Sequence, residues 1–347
     1  MKIEIEEKNH NSWLKDIDKY NITTFQYPSW LHAVKNSNKE PFFLDFKIGD
    51  RVKAKLSGLK IKDHLGIYIY SYAGIMPHNS NNAYEALLYN SYKKLYKYAV
   101  KNRYYRVVAA CYDYNIKFNN FPKEYYNFKR NEYIIDPKNH EASTDFSSQI
   151  KKHLKKCRKK SLTFESSTSP NILATIFTLL NTTKKRRMRR HNDIYNPLYL
   201  PFLTKTSLKS LLDNRFGTVY FLKSKENIEA IEFNIELNDR RYTLLKATSE
   251  EGYRDGASSA LTSKVISKYK EQGIYSYNLG GSVKTDSGDG LKKYKLNIGA
   301  NEKELFGATT NFIIYPYKLI NPVLNITRAI PKNNKVIKTL KKLLQSS

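Results

Sequence analysis

YSYNLGG (Tyr275–Gly281), followed by GDGLKKYKLNIG (Gly288–Gly299), is the stretch on which the reading of this chain turns. Tyr275–Leu279 has the residue types of a strand and runs into two glycines. A strand end without side chains lets a ligand approach closely; a plain loop exit accounts for the same pair. Just upstream lies EEGYRDGASSAL (Glu250–Leu261), a turn-rich loop that opens a helix over 257–270. Gly256 can take positive φ, and Ala257, Ser258 and Ser259 would present the unpaired N–H groups of a first helical turn. Such a mouth holds anions. Arg254 could add a bidentate contact, so Arg254 with Gly256, Ala257, Ser258 and Ser259 is the candidate seat for the phosphates of an acyl carrier. Asp255 argues the other way, because a carboxylate repels phosphate. An ordinary N-cap by Asp255 or Ser258 is the competing reading.

Outward from this stretch, the two halves of the chain share a coarse order. In the first, Thr24–Lys35 reads as a Pro-started helix. Phe42–Ile48 and Val52–Ile61 form a hairpin about Gly49-Asp50. A strand at Leu65–Tyr72, a helix at Asn82–Lys101 and strands at Tyr105–Tyr112 and Tyr133–Ile135 follow. In the second, a basic helix (Phe146–Lys160) precedes a strand (Leu162–Glu165), helices at Asn171–Leu180 and Ser207–Leu212, and a meander over Gly217–Lys223, Ile228–Glu236 and Tyr242–Lys246. A helix (Ala257–Lys270), the strand Tyr275–Leu279 and a late strand at Phe312–Tyr315 complete it. Antiparallel strands, then a helix, then a strand recur. The expected fold is α+β with two tandem units, residues 1–145 and 146–325, each a mixed, mainly antiparallel sheet flanked by helices. Residues 326–347 are expected to form a basic amphipathic helix.

Bulk composition narrows the function. The 347 residues carry 60 Lys and Arg against 32 Asp and Glu, a formal net charge of +28. That field attracts nucleic acid, anionic lipid or polyphosphate cofactors. Cys111 and Cys157 form no C-x-x-C pair, which points away from a zinc site or a disulfide framework. The first ten residues lack the apolar core of a signal peptide, and no run approaches the ~20 apolar residues that span a bilayer. A cytoplasmic protein is expected, and the charge leaves room for peripheral contact with an anionic membrane.

Three stretches carry a family resemblance. TFQYPSWLHAVKNS (Thr24–Ser37), SSQIKKHLKKCRKKSLTFE (Ser147–Glu165) and YNLGG…GDGLKKYKLNIGA (Tyr277–Ala300) resemble the FemAB-like branch of the GNAT acyltransferase superfamily. In the last, Tyr294-Lys295 stands at the family's Phe-Lys place and Ile298-Gly299 at its Phe-Gly place. The resemblance implies two GNAT-type domains and transfer of an acyl or aminoacyl group from a carrier to an acceptor amine. It puts Tyr294 and Lys295 near the transfer groove, with the carrier on the second domain and the acceptor on the first. The co-substrate is then acyl-CoA or aminoacyl-tRNA, and no tightly bound cofactor is implied. The helical-hairpin insertion of several tRNA users is not seen here, which favours acyl-CoA. A non-enzymatic polyanion-binding protein of GNAT-like fold is the opposing class.

The remaining candidates come from the residues themselves. A lysine near a carbonyl or phosphate stabilises developing negative charge, so Lys293 and Lys295 merit a place in the site. Period two along Ile228–Glu236 puts Glu229, Ile231, Phe233 and Ile235 on one face and Glu232, Asn234 and Glu236 on the other. Glu232 is the candidate acceptor of the amine proton, against the reading of a solvated strand face. Tyr70, Tyr72 and His78 lie near a strand end of the first unit and are candidates to line the acceptor groove. Residues 150–191 hold thirteen Lys or Arg and one Glu, a dock for a polyanion or a solvated face. His191-Asn192-Asp193 reads as a charged loop after the run Lys184–Arg190.

Overall fold

The computed structural model describes residues 2–79, 84–191, 196–225, 227–282 and 286–329. The first half contains β1 (Glu4–Lys8), α1 (His10–Trp13), α2 (Pro28–Val34), β2 (Lys39–Ile48), β3 (Arg51–Asp63), β4 (Gly66–Ser71), β5 (Met76–Pro77), α3 (Tyr84–Lys101), β6 (Val107–Ala109) and β7 (Tyr125–Ile135). After a short α4 (Ala142–Asp145) come α5 (Ser148–Arg158), β8 (Thr163–Ser167), α6 (Leu173–His191), α7 (Lys205–Asp213), β9 (Gly217–Lys223), β10 (Ile228–Leu237) and β11 (Arg240–Thr248). The chain continues through α8 (Glu250–Asp255), α9 (Ala257–Glu271), β12 (Ser276–Gly281), α10 (Asp286–Asn297), β13 (Asn301–Thr310) and α11 (Asn321–Ala329).

Among the described residues the strands form one sheet, ordered β1-β2-β3-β4-β6-β13-β7-β12-β11-β10-β9-β8, with β5 paired to β3. Each half supplies a meander of antiparallel strands and then one parallel step: β4 with β6 and β11 with β12. The halves meet through β7 and β13, which pair antiparallel from Asn301↔Ile134 to Thr310↔Tyr125. β13 therefore lies between β6 and β7, both from the first half, while β7 joins β12 of the second. The repeated α+β order expected from sequence is present, and both halves share one continuous sheet.

Differences from the sequence reading have local causes. β7 is far longer than Tyr133–Ile135, and β13 replaces the strand expected at Phe312–Tyr315. Both carry mid-strand charges that hide their period. Those charges find partners within the β7–β13 seam: Lys129 pairs with Glu304 at 2.8 Å and Arg130 with Glu132 at 2.8 Å. The helix expected to end at Leu180 runs on as α6 through the basic run Lys184–Arg190. The side chain of His191, residues Asn192 and Asp193, and most of the expected helix over 326–347 lie outside the described residues.

Two apolar clusters hold the fold together. The larger runs from Trp13, Phe25 and Trp30 through Tyr92 to Leu211, Phe233 and Tyr242, crossing from one half to the other. The smaller packs α5 and α9 on the second half through Ile150, Cys157, Leu261, Val265, Tyr269 and Tyr277. Cys111 and Cys157 are both buried free thiols, and burial pushes each pKa up, so neither is an activated nucleophile.

Candidate active site

A fork in the sheet positions the site. β11 and β12 pair only from Arg240↔Ser276 to Tyr242↔Asn278. Beyond that point β11 continues to Thr248, while β12 turns toward β7, where Gly281 faces Glu132. Gly280 takes φ +72°, and a Cβ there would lie 2.9 Å from the Tyr199 hydroxyl and 3.1 Å from that of Tyr242. Only glycine meets both demands, so the strand end is bare backbone.

Lys295, on α10, reaches this strand end. Its Nζ donates to the carbonyl oxygens of Gly280 at 2.9 Å and Gly281 at 2.8 Å. Lys295 is 5% exposed, and its ammonium also lies 5.3 Å from the centre of the Tyr133 ring. Burial pulls its pKa down to about 7, with Lys246 and Arg130 pushing the same way against Glu132. Near neutrality the amine is divided between charged and neutral forms. Two N–H groups are committed to carbonyls in either form. The third position on nitrogen is then a proton or a lone pair.

A buried polar cluster backs the fork. Glu232 is fully buried and accepts from Lys246 Nζ at 2.9 Å, Asn234 Nδ2 at 2.9 Å, Thr262 Oγ1 at 3.3 Å, Thr243 Oγ1 at 3.4 Å and the Tyr277 hydroxyl. Burial pulls the Lys246 pKa down, but Glu232 and the Tyr294 hydroxyl more than offset this and raise it. Burial, reinforced by Glu232, lifts the Tyr277 pKa well above its usual value, so it stays a donor. The Tyr294 hydroxyl bonds Thr262 Oγ1 at 3.0 Å. Tyr294, Lys295 and Glu232 are thus brought together around the fork. Both oxygens of Glu232 are occupied by donors, so it is not a free proton acceptor. Tyr294 ties α10 to α9.

A second cluster lies on the other side of Gly281. Glu132, fully buried, accepts from Arg130 Nε at 2.8 Å, Asn278 Nδ2 at 2.8 Å, the Asp113 backbone N–H at 2.9 Å and the Tyr242 hydroxyl at 3.1 Å. The Arg130 guanidinium stacks 4.4 Å from the centre of the Tyr112 ring. Burial pulls its pKa down, but Glu132 more than offsets this and keeps it charged. Lys246, Arg130, Glu132 and Tyr277 are site residues the sequence reading missed. Their signal lies in strand register, which a single sequence does not display.

The expected carrier seat is corrected by the structure. Glu250–Asp255 is a helix and not a loop, and Gly256, at φ +76°, ends α8 and begins α9. A Cβ on Gly256 would lie 2.7 Å from His153 Cβ, because α5 packs over this junction. His153 Nδ1 and Ser259 Oγ are 3.2 Å apart, and Lys156 Nζ donates to the Arg254 carbonyl at 2.7 Å. Ala257 is fully buried and Ser259 nearly so. The mouth of α9 is filled by α5 and ringed by acids. Asp255 pairs with Lys156 at 3.3 Å and Lys160 at 3.0 Å, and Glu250 with Arg189 at 3.0 Å. Arg254, Gly256, Ala257, Ser258 and Ser259 therefore form a helix junction, not an open phosphate site.

Among the expected acceptor residues, Tyr72 is fully buried, donates to the Pro201 carbonyl at 2.6 Å and packs against Phe25 and Trp30. It is core and not groove lining. Tyr70 is half-buried, with its ring edge-on to Tyr72 and Phe202. His78 lies elsewhere, against Tyr20. Lys293 is exposed on α10, one residue from Tyr294. The thirteen basic residues divide between α5 and its C-terminal extension and α6, on either side of the α8 acids. Lys151, Lys152, Lys155, Arg158 and Lys159 of the first group are exposed.

Comparison with known proteins agrees with this architecture. Residues 144–296 match the model of an acetyltransferase (GNAT) domain. FemX has a similar structure at 13% identity, with 92% of this chain and 99% of that chain covered and a TM-score of 0.67. L-PGS from Bacillus licheniformis is similar at 15% identity over 91% of this chain and 96% of that one, TM-score 0.54. The C-terminal domain of a putative lysylphosphatidylglycerol synthetase from Agrobacterium fabrum is similar at 13% identity over 94% and 98%, TM-score 0.51. No curated protein matches the sequence. Residues 144–296 therefore carry the match to a GNAT acetyltransferase domain, and the fold of the chain as a whole is similar to that of FemX.

Proposed function

We propose that this acyltransferase moves an aminoacyl group from the ester of a charged tRNA to an acceptor amine at the β11–β12 fork, with Lys295 as the proton acceptor. The single observation that carries the reaction is the Lys295 amine, buried and fixed by the carbonyls of Gly280 and Gly281 at the fork. The amine attacks the ester carbonyl, and a C–N bond forms. Neutral Lys295 takes the proton that the attacking nitrogen loses and returns it to the ribose oxygen as the C–O bond breaks. The products are an amide and an uncharged tRNA. A base whose pKa lies near the working pH suits this relay, and positioning supplies much of the rate. Arg130, next to the same strand end, offers a fixed cation for a carboxylate or phosphate of the acceptor.

The filled mouth of α9 supports this choice of donor. Acyl-CoA needs a seat for its pyrophosphate, and the N-terminus where it was expected is packed against His153. A tRNA needs a broad cationic face instead, which the exposed lysines of α5 supply. One similar structure belongs to a putative lysylphosphatidylglycerol synthetase, a name that describes aminoacyl transfer, although its acceptor is a lipid. The test is a radiolabelled transfer assay in which the purified protein receives either aminoacyl-tRNA or acyl-CoA with a panel of amine acceptors. Transfer from charged tRNA, lost in Lys295→Met, supports the proposal. Transfer from acyl-CoA alone overturns the choice of donor.

A further inference from the structure

Asn278, two residues before the bare strand end, is fully buried on β12, and both polar atoms of its side chain are bonded. Its Nδ2 donates to Asp113 Oδ1 at 3.0 Å and to Glu132 Oε2 at 2.8 Å, and its Oδ1 accepts from the Gly280 N–H at 2.8 Å. Both carboxylates are ion-paired to arginines, Glu132 to Arg130 at 2.8 Å and Asp113 to Arg240 at 3.1 Å, so toward Asn278 they act as acceptors. The amide NH2 must face them, and the amide oxygen is thereby aimed at Gly280. The anchor is itself rigid. Asp113 is 1% exposed and takes φ +56°, a backbone state that a residue with a side chain keeps where its surroundings enforce it. Arg240 Nη2 donates to its carbonyl at 2.8 Å, and its N–H donates to Glu132 Oε2 at 2.9 Å.

Gly280 is the next link. Its φ of +72° turns the chain out of the ladder, where the β12–β7 register shifts between Asn278 and Gly281. With its N–H held by Asn278, its carbonyl and that of Gly281 meet Lys295 Nζ at 2.9 and 2.8 Å. Glycine has more backbone freedom than any other residue, so the tether decides where this peptide sits. A displacement of about 1 Å in a reacting group can cost about 10²-fold in rate. Buried groups that act through a catalytic side chain in this way hold it by fixed hydrogen bonds.

We propose that Asn278 is a positioning residue: by holding the Gly280 peptide it sets where the Lys295 amine sits in the fork. The proposal rests on the reading of the fork as the transfer site, and not on which donor is used. It is tested by steady-state transfer with full-chain variants of Asn278 and Lys295, singly and together, using whichever of charged tRNA and acyl-CoA turns over. Asn278→Ala should lower kcat about 10–100-fold and change KM less than about threefold. Asn278→Ser, whose hydroxyl can accept from the N–H two residues on, should keep several-fold more activity than Asn278→Ala. In the Lys295→Met background, Asn278→Ala should cost less than about twofold, because the asparagine acts through the lysine. Without substrates, the Gly280 amide should exchange its hydrogen about tenfold faster in Asn278→Ala than in the parent. Asn278→Ala also leaves two buried carboxylates short of a donor, so Lys55→Met is the control for lost stability. It breaks the buried Lys55–Asp45 pair of the first half, 2.8 Å long, and should lower the melting temperature while keeping kcat. The proposal is overturned if Asn278→Ala keeps the parental kcat or amide exchange, if the serine and alanine variants are equally slow, if the loss is as deep without Lys295, or if Lys55→Met slows transfer as much. A parental rate in Lys295→Met would instead overturn the reading of the fork.

Discussion

Glu232 faces Lys246 across the β10–β11 pair because the register shifts between Phe233 and Asn234. Phe233 pairs with Leu245 but Asn234 with Thr243, so Leu244 is the extra residue of a bulge. Without it, Glu232 would face an apolar leucine, and a buried carboxylate would have no cation opposite. Breaking a buried pair leaves one charge uncompensated. Glu232→Gln and Lys246→Met are each expected to cost about 3–5 kcal/mol, read from the denaturation midpoint. The double variant should recover a large part of that loss, as judged by a double-mutant cycle. Additive losses would show that the two charges are not coupled.

The same bulge marks the limit of what the sequence discloses. Strand and helix types were legible wherever period and turn chemistry agreed: the hairpin at Gly49-Asp50, the meander over β9–β11, and the glycine pair that ends β12. The Tyr294-Lys295 pair was legible through its resemblance to a family pattern. The partners of Glu232 were not, because a period-two reading assumes a regular ladder and treats Asn234 and Glu232 as a polar face toward water. Both are fully buried. β7 and β13 were hidden for a related reason: their charges are answered within the seam that joins the two halves, Lys129 by Glu304 across it and Arg130 by Glu132 along β7. The α9 mouth was misread because nothing local announces that α5 will lie on it.

Lys295 gives the most direct test of the proposed chemistry. If the neutral amine is the proton acceptor, kcat/KM should rise with pH to a plateau, with an apparent pKa of about 7. Lys295→Met should lower kcat by about 10²–10⁴-fold, the range of a general base. Lys295→Arg separates the two roles open to a lysine. Arginine keeps the charge but cannot release its proton at these pH values. A loss as deep as in Lys295→Met fits the base. Retention of activity would assign the residue to holding the oxyanion.

The same group links stability to pH. Its folded pKa, about 7, lies below the ordinary lysine value of 10.5. Between those values the unfolded chain binds a proton that the folded chain has released, so stability rises with pH across the window. The destabilisation is fully present below pH 7 and is relieved as the pH approaches 10.5. Relative to Lys295→Met, the parent should gain on the order of a few kcal/mol between neutral and alkaline pH. Parallel stability curves for the two proteins would mean that Lys295 titrates normally.

Gly256 tests the filled helix mouth. Alanine there must hold φ +76° and place its Cβ 2.7 Å from His153 Cβ, in contact with the α5 backbone. Gly256→Ala is therefore expected to destabilise by about 1–3 kcal/mol through the α5–α9 packing. His153→Ala should restore little of it in the double variant, because alanine keeps the Cβ and the Cα that the new methyl group meets. Calorimetric titration with CoA should give no saturable binding in the parent. Tight CoA binding that Gly256→Ala abolishes would return this junction to the role of a phosphate seat.

The basic face of α5 makes the final prediction, on salt. Lys152 and Lys155 are exposed on the solvent side of the helix. If they touch tRNA phosphates, each such pairing releases condensed counterions, and affinity falls with added salt. Changing both lysines to glutamine should flatten the plot of log affinity against log salt by about 0.7–0.9 for every phosphate no longer neutralised. Affinity should fall by a similar factor for charged and uncharged tRNA, because phosphate contacts carry no information about the aminoacyl group. Lys156 and Lys160 serve as the contrast: they pair with Asp255, so their removal should lower stability more than it changes the salt slope. A slope that does not respond to Lys152 and Lys155 would move the tRNA path away from α5 and toward α6.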